Sequence, residues 1–155
     1  MSLFKHIENI GNLQKFIKET FDVALSIEGN WGYSKKQASI VMSIQNNMPL
    51  NQLEHMLTTM RAHIEMNLTQ EEDNRYGAIN ANERAREQIE EDLLIYDKVT
   101  YEITAIKENL FKEFILEYKA GYEKEGFDLN EHFKRRKEAT LTREVVHYFE
   151  VSNIH

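Results

Sequence analysis

Glu144-Val145-Val146-His147 is the step in this chain that most resembles a metal site, because on a helix it sets a carboxylate and an imidazole one turn apart. Bundles that hold two metal ions need two such pairs and two further bridging acids, and the chain has no second Glu-x-x-His. His55 and His63 stand eight residues apart, about 12 Å along a helix axis, which is too far to share one ion. With no cysteine there is no thiolate nucleophile, and no Gly-x-Ser-x-Gly presents a serine. Gly29 and Gly32 lack the Gly-Lys-Ser that completes a phosphate cradle. The sequence therefore predicts a protein without a catalytic centre, without a bound metal and without a cofactor.

Residues suited to binding are easier to find. Trp31, the one tryptophan of the chain, stands between Gly29 and Gly32 with Tyr33 following, a setting that presents aromatic side chains to a partner. Phe111, Phe114, Tyr118 and Tyr122 recur at helical spacing and form a second aromatic face. An alternative reading is a DNA-binding helix-turn-helix over residues 34–68, with Ser34 and Gln37 as the capping box of its first helix. There Asn51, Gln52, His55 and Thr58 face the groove, and Lys35, Lys36 and Arg61 meet phosphates. A single Arg and no Lys on the second helix weigh against it. Lys134-Arg135-Arg136-Lys137 point in four directions on a helix, a collar more than a stripe.

The elements that position these residues read as helices. Ile89, Leu93, Tyr96, Val99, Ile103, Ile106, Leu110, Phe114 and Tyr118 are each three or four residues apart, with no glycine or proline between them. This predicts one long helix over about 83–125, the centre of an all-α bundle of about five to six helices. Shorter helices are expected within about 2–68, a polar loop at 69–82, and C-terminal helical segments over 128–152, with Asp128 and Glu131 as a capping box. Val99 to Thr104 also alternates like a strand, and residues 141–151 are rich in strand formers. Helix is preferred at 99–104 because neither flank looks like a turn. A 43-residue helix would be roughly 64 Å long, against a domain diameter of about 40 Å. It must bend, project or be covered by a second subunit, which predicts a homodimer.

Composition narrows the role further. Hydrophobic residues make up 41% and charged residues 29%, as in one globular domain. No apolar run is long enough to span a bilayer, and the start lacks an apolar leader, so a soluble cytoplasmic protein is expected. A net charge of -7 disfavours nucleic acid and suits a basic partner. The combined expectation is a non-enzymatic protein–protein interaction module: an acidic adaptor, or an immunity- or antitoxin-like neutraliser of a basic protein.

Overall fold

The computed structural model describes residues 4–122 and 124–155. They form a five-stranded mixed sheet with four α-helices, not an all-α bundle. In chain order the elements are α1 (Leu13–Phe21), β1 (Ile27–Gly29), β2 (Ser39–Val41), α2 (Leu50–His63), β3 (Tyr76–Glu91), β4 (Leu94–Lys107), α3 (Glu108–Gly121), α4 (Leu129–Ala139) and β5 (Leu141–Glu150). The strands lie in the order β1-β2-β5-β4-β3. Only β2 and β5 run parallel; the other neighbours are antiparallel.

The long helix expected over 83–125 is three elements. β3 and β4 form a hairpin closed by Asp92 and Leu93, and α3 follows directly from β4. Within β4, Asp97, Val99, Tyr101, Ile103 and Ala105 are buried at the period of two that a sheet with one covered face requires, and Ile106 near the strand's end is buried as well. The three-and-four spacing of the apolar residues counted positions from both faces of this strand. The expected homodimer rested in part on that helix's length, and only that part of its basis falls away; its other ground was the wide apolar face from Leu110 to Tyr122. The C-terminal segment 141–150 is likewise a strand, and its β-branched and aromatic residues pair with β4 from Tyr96 to Ala105.

The N-terminal helices are fewer than expected. Residues 1–3 lie outside the described part. Asn9 and Gly11 take left-handed backbone angles, so α1 begins only at Leu13, capped by the Asn12 side chain. Ser34 and Gln37 do hydrogen-bond, Gln37 N–H donating to the Ser34 oxygens, but this closes an isolated turn. No helix covers residues 34–47, and Ser39–Val41 is a strand instead. The expected loop at 69–82 carries the start of β3. By contrast α2 follows Pro49 nearly as expected and continues through a π-helical turn at Ile64–Leu68, and α4 starts on Asp128, whose carboxylate accepts from Glu131 N–H at 3.0 Å.

The core lies between α2 and the sheet. Leu53, Leu57, Met60 and Ile64 pack with Val99, Tyr101, Ile103 and Phe149, joined by Leu13 and Ile17 of α1 and by Trp31. Each such side chain contributes about 1.5–3 kcal/mol when fully removed from water. Among the described residues, no helix is long and apolar enough to cross a membrane.

Candidate functional site

Three places in the molecule concentrate polar or unpartnered groups: a buried seam under α2, a cleft on its outer side, and the tip of the β3–β4 arm.

The seam follows from the helix repeat. Glu54, Thr58, Arg61 and Glu65 are spaced four, three and four residues apart, so all face the sheet, and all are buried. Glu65 accepts from the Tyr33 hydroxyl at 2.6 Å and from Arg143 at 2.9 Å. Arg61 donates to the carbonyls of Trp31 (3.1 Å) and Val146 (2.9 Å). Glu54 accepts from Arg86 at 3.0 Å, and the same guanidinium stands 3.6 Å from Asp97. Burial, and then the neighbouring Asp97, push the Glu54 carboxyl up to about 8. Its Oε2 is buried without a hydrogen-bond partner, a setting that favours the neutral acid over the carboxylate.

His147 sits at the middle of the seam, 2.9 Å from Ser39 Oγ and 3.0 Å from Thr58 Oγ1. Each hydroxyl also lies within hydrogen-bond reach of a carbonyl: Ser39 of Asn30 at 2.7 Å and Thr58 of Glu54 at 3.0 Å. Two hydroxyls and a neutral imidazole hold three protons for these four contacts, so one contact goes unmade at any instant. An imidazolium would complete the set, but burial first and the Arg61 charge second hold His147 well below its usual pKa. Gly32 makes the fit possible: its φ is +80°, and a Cβ there would run into the His147 ring. A strand places residues three apart on opposite faces, so Glu144 lies exposed while His147 is buried. The Glu-x-x-His step therefore does not converge. Glu54 has no exposed surface, and Asp97 almost none, so the carboxyl pair has no path to a substrate. We read the seam as the device that fixes α2 on the sheet.

The cleft, of about 580 Å³, lies between the outer side of α2, Phe21, and the start of β3 and α3. Met56, Met60 and Ile79 give it apolar walls; His55, His63 and Glu108 are among its polar groups. A bulge at Ala78 and Ile79 shapes its edge, with Ala78 at φ +50°. Past Gly77 and Glu108 it continues into a trough along Phe111, Ile115 and Leu116.

The arm tip is the most exposed feature. Asp92 and Leu93 form a two-residue turn with φ of +52° and +68°, the geometry normally filled by Asn-Gly or Asp-Gly. Leu93 is 101% exposed, and Leu94 beside it is 36% exposed. Three acids precede them: Glu90, Glu91 and Asp92. Glu91 pairs with Lys35, which braces the arm against the loop after β1; Glu90 and Asp92 have no ion-pair partner among the described residues.

The aromatic residues singled out from the sequence are not brought together. Trp31 has no exposed surface and stands edge-on to Phe16; it is core, not a displayed anchor. Tyr33 serves Glu65 in the seam. Phe114 is buried against His132, and Tyr118 packs among Tyr122, His132 and Phe133, so both belong to the α3–α4 packing. Phe111 lines the trough and Tyr122 is 56% exposed. Of the residues assigned to DNA, Thr58 and Arg61 are buried, Lys35 is tied to Glu91, and Gln52 and His55 line the cleft; Lys36 and Asn51 are exposed. The helix pair that the reading requires is absent. Leu93 was the residue that pattern-reading missed. An acid run followed by two leucines was its signal, hidden because no glycine or asparagine marked the turn.

Compared with protein-family models, curated proteins and solved structures, the chain shows no significant match to any.

Proposed function

We propose that this chain is a non-catalytic binding protein that docks a basic protein partner at the acidic tip of its β3–β4 arm. The observation that carries the reading is Leu93. A leucine in the left-handed region strains the backbone by about 1–2 kcal/mol, and full exposure forfeits the roughly 1.5–3 kcal/mol that its burial would contribute. Glycine at this position avoids both losses. A pocket on a partner recovers the second, and a basic rim around that pocket meets Glu90 and Asp92. The chain's net charge of -7 adds long-range attraction to the same partner and speeds encounter.

In this role the protein is an adaptor or a neutraliser of the basic partner. The cytoplasm suits a chain without a cysteine. A photo-crosslinking residue placed at position 93 and expressed in the native host tests the reading. The expected adduct joins a basic protein to position 93 and is not formed from position 116, on α3. Equal labelling from both positions, or no adduct from 93, would overturn it.

A further inference from the structure

The cleft beside α2 carries an inference separate from the tip of the arm, with which it shares no residue. Its volume of about 580 Å³ lies within the range of sites that enclose small organic molecules. Met56 and Met60, stacked one turn apart on α2, offer a wall of flexible, polarisable side chains that adapts to an apolar body. Of the described residues that line it, Glu108 alone carries a fixed charge. His63, on the facing helix, is held below its usual pKa by burial, with the Glu108 charge opposing, so it adds no competing cation near neutral pH.

The Glu108 carboxylate is only partly committed. It accepts from the Asn67 side-chain amide at 3.0 Å, and its ion pair is with Lys112 at 3.7 Å. Lys112 is 68% exposed, and a pair of this kind is weak, so its ammonium leaves for water at little loss. Ala78 marks the same edge. Held at φ +50° by the bulge, it is one of the few non-glycine residues with a left-handed backbone, and strain of this kind gathers at binding edges.

We infer that this cleft is a binding site for a small organic cation with an apolar body, its ammonium or guanidinium meeting Glu108 and its hydrocarbon part lying against Met56 and Met60. Three probes of equal chain length test this: n-octylammonium, n-octanol and n-octanoate, titrated below their micelle concentrations. The readout is the methyl resonances of methionine labelled with carbon-13. Octylammonium is expected to shift Met56 and Met60 while leaving Met42 unmoved, and to bind about tenfold more tightly than octanoate. Glu108→Gln keeps the shape and removes the charge, and is expected to bring the two probes to within about threefold of each other. Thr59→Trp fills the cleft without touching Glu108 and is expected to abolish the Met56 and Met60 shifts. Unchanged resonances from the core Met66 show whether each variant is folded. Equal binding of all three probes to the wild type, preference for octanoate, shifts confined to other methionines, no binding, or a Glu108→Gln variant that keeps the tenfold preference would each overturn the assignment.

Discussion

Replacing Glu54 by glutamine removes one titrating group from the buried seam while keeping its shape. In the folded chain the Glu54 carboxyl keeps its proton up to about pH 8, because burial and Asp97 both disfavour its charge. In the unfolded chain it ionises near 4.5. The folded-state pKa is the higher one, so the stability it supports is fully present below about pH 4.5 and is lost as pH rises through 8. At about 1.4 kcal/mol per pH unit, that interval corresponds to about 4–5 kcal/mol. Glutamine cannot ionise, and it keeps the size and shape of the neutral acid. Urea unfolding followed by circular dichroism between pH 5 and 9 reads the difference. The variant is expected to match the wild type within about 1 kcal/mol at pH 5 and to exceed it by about 3–4 kcal/mol at pH 9. On the acid side both proteins are expected to weaken below pH 6.5, because His147 refuses in the folded state a proton that it accepts when unfolded. Parallel curves from pH 5 to 9 would refute the assignment of a retained proton to Glu54.

Gly32→Ala is expected to cost several kcal/mol in chemical unfolding, since its Cβ meets the His147 ring and the φ of +80° disfavours any side chain. Ala78→Gly is expected to raise stability by about 1 kcal/mol by relieving the left-handed bulge, read as a shift of the urea midpoint with unchanged slope.

Some of this architecture was legible because the deciding interactions are local. Asp128 and Glu131 announced the start of α4, and the α2 pattern survives because one long face of that helix packs on the sheet. The hairpin was not legible because its turn is Asp92-Leu93, with neither residue a customary marker, while the apolar positions flanking it happened to fall at helical intervals. The alternation from Val99 to Ile103 was the correct signal, outvoted by the missing turn. Ser34 and Gln37 made the hydrogen bond their spacing predicts, yet β2 pairs with β1 and β5 a few residues later and stops any helix. The seam was hidden for a different reason. Glu54, Arg61 and Glu65 look like a solvated face until Arg86, Asp97 and Arg143 are brought opposite them, and those partners arrive only with the sheet.

Leu93→Gly tests the central claim most directly, because the strain that marks the turn and the binding assigned to it respond in opposite directions. Thermal or urea unfolding and capture of the crosslinked partner should be measured on the same preparation. Glycine relieves the left-handed backbone and is expected to raise stability by about 1 kcal/mol, while loss of the leucine weakens partner capture at least about tenfold. A variant that is more stable and still captures the partner at wild-type strength would contradict the account, as would one that loses stability and binding together.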